Sequence, residues 1–187
     1  MLLGAAQVFG AKGYGATSVE DVLQAAGVSR RTFYRFFRSK EDLFEELADA
    51  ASMLFIQGMR NAVAMAKTPA EKIEKCLELY LRAPQSVGPI FQVLQIESSR
   101  PGTQLYARRQ QVLETLIQMF DQGFRESTGR KADPLILRGL IAAHERIALH
   151  VFNESPGDEA AIQHAKRAMM HLTEAALGEP APAPVTS

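Results

Sequence analysis

Val28-Ser29-Arg30-Arg31-Thr32-Phe33-Tyr34-Arg35-Phe36-Phe37-Arg38-Ser39-Lys40 is the stretch on which the reading of this chain turns. Five cationic side chains (Arg30, Arg31, Arg35, Arg38, Lys40) and no acid are interleaved with four aromatics (Phe33, Tyr34, Phe36, Phe37). A short helix so composed carries too much charge for a core and too many rings for a plain solvated face. Cations attract phosphates, and a helix end that presents Arg and Thr reaches base edges in a major groove. The rings are expected to anchor the helix against its neighbours, with the Tyr34 hydroxyl free for a phosphate oxygen. Taken alone, the stretch also fits a bundle helix whose basic face is merely solvated. What precedes it decides between the two.

Leu2, Ala5, Ala6, Val8, Phe9 and Lys12 give a first helix with one apolar face, stopped by Gly13 and Gly15. Thr17-Ser18-Val19-Glu20-Asp21 is a helix start, in which Thr17 with Glu20 or Ser18 with Asp21 forms the capping pair. Val19, Val22, Leu23 and Ala26 then fall on a single face. Gly27 ends that helix in a left-handed conformation and Ser29 caps the next after a short turn. Two short helices, a Gly-containing turn and a basic, aromatic second helix describe a helix-turn-helix. Ser39-Lys40-Glu41-Asp42 starts a long fourth helix through Leu43, Leu47, Phe55 and Met59.

In these residues the chain resembles the DNA-binding domain of the tetracycline-repressor (TetR) family of bacterial transcription regulators. The resemblance rests on Leu2-Leu3, Ala5-Ala6, Phe9, Gly13-Tyr14, Thr17-Ser18-Val19, Asp21-Val22, Ala26-Gly27-Val28-Ser29, Thr32-Phe33-Tyr34, Phe37 and Ser39-Lys40-Glu41-x-Leu43, in order and without a gap. It covers about a quarter of the chain. It implies an all-α fold: a three-helix DNA-binding domain over 1–47, then a larger ligand-binding and dimerisation domain over 48–178, with about nine helices altogether. It further implies that Thr17, Ser18, Ser29, Arg30, Arg31, Thr32, Tyr34, Arg35 and Lys40 meet DNA. Arg30 and Arg31 would reach bases or nearby phosphates, and Thr32 and Tyr34 phosphates or a thymine edge. Lys40 would clamp the backbone on the far side. The chain departs from the pattern with Arg31 where Gly is common, Phe36 where a phosphate-binding His is common, and Leu23 in place of a small Ala. Base preference therefore does not carry over.

Charge is distributed to match. Residues 1–40 hold Lys12, Arg30, Arg31, Arg35, Arg38 and Lys40 against Glu20 and Asp21, a net of four positive charges. The whole chain balances at 21 basic and 21 acidic side chains, so the remainder carries four negative charges. A basic end on a mildly acidic body points to a polyanionic partner at that end. The single cysteine, Cys76, excludes an intrachain disulfide and reads as a packed thiol. No secretory signal or membrane-length apolar run is present, so the chain is expected to be cytoplasmic, with no membrane partner. A helix is already under way at Leu2, so an arm upstream of this chain is expected.

After Arg60 the pattern is helical with marked breaks. Pro69 opens a helix through Ile73, Leu77 and Leu81; Ala83-Pro84 and Gly88-Pro89 delimit short pieces; Ile90 to Ile96 continues. Further helices are expected over 103–126, from Asp133-Pro134 to Phe152, and over 159–177, before a disordered tail over 179–187 that holds three prolines. No repeat or strand is evident.

The last two helices carry long faces of small and apolar residues: Leu137, Leu140, Ile141 and Ala148 in one, Ile162, Ala165, Ala168, Met169 and Leu172 in the other. They fit either an internal pair covering the core or half of a dimeric four-helix bundle. The resemblance places dimerisation here, and a helix-turn-helix needs a partner to read two half-sites, so a homodimer on a double-stranded DNA operator is expected. Residues of the middle segment would line a site for a small apolar or amphipathic effector of unknown identity: Phe55, Met59, Met65, Phe91, Leu94, Tyr106, Met119, Phe120 and Phe124 as apolar lining, with Tyr80, Gln92, Gln95, Glu97, Arg109 and His144 as polar anchors. The same residues at helical spacing also read as ordinary core.

No catalytic, metal or cofactor site is expected. His144-Glu145 and His150 lack zinc-ligand spacing, and Gly13 and Gly15 join two helices rather than follow a strand. The reading is a ligand-responsive repressor rather than an enzyme; a helical protein–protein adaptor without specific DNA binding is the alternative.

Overall fold

The computed structural model describes residues 1–178. The expectation of a disordered tail over 179–187 lies outside the described residues. Those described are all-helical: α1 (Leu2–Lys12), α2 (Val19–Ala26), α3 (Arg30–Phe36), α4 (Lys40–Ala64), α5 (Pro69–Val87), α6 (Ile90–Ser98), α7 (Gln104–Thr128), α8 (Pro134–Glu154) and α9 (Glu159–Gly178).

These helices form two compact units, and the units are not consecutive in sequence. One comprises Met1–Arg60 with Ala83–Glu114; the other comprises Asn61–Arg82 and the described residues from Thr115 onward. The expected boundary after residue 47 falls inside α4. α4, α5 and α7 each contribute residues to both units. α5 also runs through Pro84, where the sequence reads as a break. Proline cannot donate to the carbonyl four residues back, but the Pro84 ring is fully buried, and that burial offsets the missing bond.

The first unit is built on Ala5, Phe9, Val22, Leu23, Phe33, Leu43, Phe44, Leu47 and Ile90, all buried. Ile90 belongs to α6, so the helix-turn-helix does not complete its core from the first 47 residues alone. Two glycines of α1 let its neighbours approach. A Cβ on Gly4 would lie 2.8 Å from the carbonyl oxygen of Ala25 in α2, and one on Gly10 would lie 2.8 Å from the backbone nitrogen of Ile90. Polar ties add to the packing: Arg108 of α7 bonds Asp49 of α4 and, at 3.1 Å, Glu45.

The second unit packs α8 on α9. Asp133 caps α8 by accepting from the backbone N–H of Leu135 at 2.7 Å, with Pro134 at the first helical position, as the sequence predicts. Lys166 of α9 reaches Glu74 and Glu78 of α5 at 3.0 and 3.1 Å, and Arg82 reaches Glu159 at 2.9 Å. Here the expected dimer face needs correction. Leu137, Leu140, Ile141, Ala148, Ile162, Ala165 and Met169 are buried within the protomer, while Ala168 and Leu172 are exposed. Side chains already removed from water by their own chain have no surface left to lose on association. The apolar stripe seen in the sequence is therefore largely the internal core.

Gly→Ala normally stabilises a helix interior by about 0.5–1 kcal/mol. Gly10→Ala is expected to do the reverse and destabilise by about 1–3 kcal/mol, because the added methyl meets α6 backbone. Urea unfolding checks this: a midpoint at or above the parent's would mean that α6 yields freely.

Candidate nucleic-acid interface and apolar cavity

The helix-turn-helix forms as its sequence directs. Of the two capping pairs, Ser18 with Asp21 is the one made: Ser18 Oγ accepts from the Asp21 N–H at 3.2 Å, and Asp21 Oδ2 accepts from the Ser18 N–H at 2.9 Å. The same carboxylate takes the Lys12 ammonium at 2.6 Å, and these bonds hold it well below the usual carboxylate range. Gly27 adopts φ 64°, which leaves the Val28 N–H on the Leu23 carbonyl at 3.1 Å and turns the chain into α3. Ser29 then caps α3 by accepting from the Thr32 N–H at 3.1 Å, and its hydroxyl lies 2.9 Å from that of Thr32.

α3 is held by one face. Phe33 is fully buried, with Phe37 beside it at 5.7 Å between centroids. Tyr34 is half exposed, edge-on to Phe33, with its hydroxyl bonded to the Arg30 guanidinium. Phe36 does not anchor the helix: it is 60% exposed, with the Arg35 guanidinium 4.8 Å over its ring. Arg30 bonds Glu20 at 2.6 Å, and Arg38 bonds Asp42 at 3.0 Å. Arg31 and Arg35 have no carboxylate partner among the described residues and face solvent. The surface thus offers two unneutralised guanidinium groups, with a third held by an exposed glutamate that a phosphate could displace.

Two of the expected DNA contacts sit otherwise. The Thr17 side chain is buried and its hydroxyl donates to the Gly13 carbonyl at 2.7 Å, so it is committed to the turn between α1 and α2. Lys40 Nζ donates to the carbonyls of Tyr14 at 2.9 Å and Thr17 at 2.8 Å, 4.5 Å from the Tyr14 ring centroid. Two of its three protons are used inside the protein. Tyr14 completes this cluster: its ring lies between Phe9 and Phe44, and its hydroxyl donates to Glu41 at 2.9 Å. Burial and that carboxylate push the Tyr14 phenol well above its usual range. No local signal marks these pairings, which join residues 23 to 27 apart.

The second unit contains an apolar cavity of about 140 Å³. α5 contributes Ile73, Cys76, Leu77 and Tyr80; α7 contributes Met119, Phe120 and Phe124; α8 contributes Leu137, Leu140, Ile141 and His144; α9 contributes Thr173 and Leu177. Of the expected ligand contacts, Tyr80, Met119, Phe120, Phe124 and His144 border it. Met65 does not, nor do Phe55, Met59, Phe91, Gln92, Leu94, Gln95, Glu97, Tyr106 and Arg109, which belong to the other unit. There Leu94 packs on the N-terminal core, Met59 is fully buried, and Arg109 bonds Gln95. In the α5 stripe the sequence marks Tyr80 as a polar anchor and Ile73, Cys76 and Leu77 only as helix periodicity. Burial pushes the Cys76 thiol up to about 11, so it stays protonated near neutrality and is no nucleophile.

His144 is the buried polar group of this wall. Its Nε2 lies 3.2 Å from Thr173 Oγ, whose own proton goes to the Met169 carbonyl at 2.8 Å. The imidazole is also bonded to the Met169 backbone, so Thr173, His144 and Met169 form one buried polar cluster. Burial holds the imidazole below its ordinary value of 6.5.

Residues 2–47 match the sequence profile described as bacterial regulatory proteins, tetR family. Those residues are a tetR-family domain. The HTH-type transcriptional regulator EthR of Mycolicibacterium smegmatis is 34% identical over 73 residues, which is 38% of this chain and 34% of that regulator. The chain thus matches about a third of that relative's length. The TetR family regulator PfmR from Thermus thermophilus superposes with a TM-score of 0.67 at 26% identity, over 91% of this chain and 95% of that one. FadR from Bacillus subtilis, solved in complex with stearoyl-CoA, gives a TM-score of 0.77 at 18% identity, over 91% of this chain and 94% of that one. The fold likeness therefore extends well beyond the tetR-family domain. Among the described residues no helix is long and apolar enough to cross a membrane, and no group of three or more His, Cys, Asp and Glu could hold a metal.

Lys40→Ala is expected to lower stability by about 1–3 kcal/mol in the absence of DNA, since two part-buried carbonyls lose their donor. Arg31→Ala, on an exposed and unpartnered side chain, is expected to stay within about 0.5 kcal/mol of the parent. Denaturant titration of both variants checks the contrast.

The unfolded chain protonates His144 at higher pH than the folded chain does, so stability is constant above the ordinary value and falls as pH drops below it. His144→Leu should flatten that slope. Unfolding midpoints measured from about pH 8 to about pH 5 test it, and equal slopes would assign the titration to other groups.

Proposed function

We propose that this chain is a sequence-specific, DNA-binding transcription regulator, a repressor working as a homodimer whose operator affinity is modulated by a small apolar or amphipathic molecule. The carrying observation is α3 of the tetR-family domain, which buries Phe33 and leaves Arg31 and Arg35 in solvent without a carboxylate partner among the described residues. An adaptor surface has no use for such a pair, whereas a phosphate backbone or a guanine edge does. Residues 1–47 hold the DNA-reading elements. Arg30, Arg31, Thr32, Tyr34 and Arg35 meet the groove and its phosphates, with the Ser18 and Ser29 helix starts beside them. Lys40 contributes chiefly by holding the turn that orients α2. No catalytic step is part of this reading.

The dimer face lies on what α8 and α9 leave exposed: Leu135, Ile136, Gly139 and Ala142 with Ala168 and Leu172. Two copies of this pair make a four-helix bundle with twofold symmetry, which matches two half-sites about 34–36 Å apart. Coupling runs through α4. This helix is unbroken from Lys40, whose ammonium grips the Tyr14 and Thr17 carbonyls, to Ala64, and Val63 in its last turn borders the cavity. A ligand that fits only one position of that turn shifts the population of α4 positions, and with it operator affinity, by at most its own preference between the two.

Fluorescence anisotropy on a duplex selected from a random library tests this. Arg31→Ala and Arg35→Ala should each weaken binding roughly tenfold or more and make the salt dependence shallower by about one phosphate contact. Ala168→Asp, harmless to an isolated protomer, should give monomers in sedimentation and collapse operator affinity. Unchanged affinity in both arginine variants would hand the chain to the adaptor reading, and a dimer that survives Ala168→Asp would place its interface elsewhere.

A further inference from the structure

Glu20 of α2 brings a negative charge to the edge of α3. Its Oε2 lies 2.6 Å from Arg30 Nη2, and both side chains are largely in solvent, Glu20 at 72% and Arg30 at 61%. With Gln24 and Ser29 the two residues border one shallow groove between α2 and α3. The start of α2 is already closed by Ser18 and Asp21, so Glu20 has no capping duty there. An ion pair this exposed adds little to stability. Arg30 is bonded a second time, by the Tyr34 hydroxyl, so its guanidinium is steadied from two sides.

On a surface that meets DNA, a carboxylate is useful only to a donor. Phosphate oxygens repel it, as do guanine O6 and N7 and thymine O4; the donors of the major groove are the amino groups at cytosine N4 and adenine N6. A phosphate that took Arg30 would leave Glu20 unpaired among like charges, which disfavours that arrangement. Kept together, the pair presents an acceptor beside a donor. A carboxylate accepts at both oxygens, and a guanidinium keeps donors in its planar fork beyond the bonds to Glu20 and Tyr34. A C·G pair offers the complement, cytosine N4–H next to guanine O6, spaced by their own hydrogen bond of about 2.9 Å. The ion pair spans 2.6 Å. An A·T pair also places a donor beside an acceptor. There, however, adenine N7 faces the carboxylate and the thymine methyl stands where guanine N7 would take the second arginine bond.

We propose that Glu20 and Arg30 act as one reading unit that selects a C·G base pair in each half-site, Glu20 accepting from cytosine N4 and Arg30 donating to guanine O6 and N7. This assignment rests on the regulator reading above. The unit is electrically neutral, so it supplies selectivity without adding to the salt-dependent attraction of Arg31 and Arg35.

Selection from a random duplex library with the full chain, followed by anisotropy on the selected duplex and its single-base-pair variants, compares the parent with Glu20→Gln and Glu20→Ala. Both variants should keep the parent's unfolding midpoint, because the side chain is exposed and caps nothing. The parent should select a C·G pair at one position of each half-site and lose about tenfold in affinity when A·T replaces it. Glu20→Gln should select adenine where cytosine stood, because an amide accepts from adenine N6 and donates to N7. Glu20→Ala should narrow the discrimination at that position and steepen the salt dependence by about one phosphate contact, since Arg30 is then free for the backbone. A Glu20→Gln selection identical to the parent's overturns the proposal. So does a Glu20→Ala variant that binds selected and unrelated duplexes more tightly by one common factor, which would make Glu20 only a brake on phosphate contact. A parent that selects no duplex ends the regulator reading and this one with it, whereas a sharp site indifferent to both substitutions ends this one alone.

Discussion

The ammonium group of Lys40 lies 2.8 Å from the carbonyl oxygen of Thr17, 2.9 Å from that of Tyr14 and 4.5 Å from the Tyr14 ring centroid. Carbonyls at the end of a helix and in the turn that follows it have no intrahelical partner, and in a part-buried position they need a donor. Lys40 provides it from the first residue of α4, while Thr17 closes the turn from within by bonding Gly13. The direction in which α2 leaves the turn is thereby fixed, and Gly27 and Ser29 transmit it to α3 across a turn with little freedom. The orientation of Arg31 and Arg35 depends on this chain of contacts, although neither arginine touches Lys40's partners.

Around that clamp the aromatic side chains divide into two kinds. Phe9, Tyr14 and Phe44 interlock at centroid distances of 4.7 to 5.9 Å and, with Phe33, close the core of the first unit. Tyr34 and Phe36 remain at the surface of α3, where a ring beside an arginine is useful only to something arriving from solvent. Ion pairing sorts the cations in the same way. Lys12, Arg30 and Arg38 have carboxylates within 3.0 Å, and what they leave over is the positive charge of α3 itself.

The second unit solves a different problem, that of keeping a small space open within an apolar interior. Close packing normally excludes such a space. Here the wall includes His144, bonded to Thr173, and Cys76, whose thiol burial keeps protonated near neutrality. A cavity of about 140 Å³ among Leu, Ile and Phe side chains forgoes dispersion contacts that a ligand would restore, which is the physical basis for expecting occupancy.

The sequence by itself determined the helices, their caps and the helix-turn-helix, because these depend on residues within a few positions of one another: Ser18 with Asp21, Gly27 before Ser29, Asp133 before Pro134. It also singled out Arg31, Arg35 and Tyr34, since charge and rings crowded into seven residues need no fold to be noticed. It could not show that Lys40 and Thr17 serve the turn, that Ile90 completes the N-terminal core, or that the apolar faces of α8 and α9 are buried at home. Periodicity says that a residue faces something, but not whether that is its own core, a cavity or a second copy. Phe55 and Phe120 carry the same signal at helical spacing, yet only Phe120 meets the cavity. That assignment is made by contacts between segments far apart in the chain, and only the tertiary structure decided it.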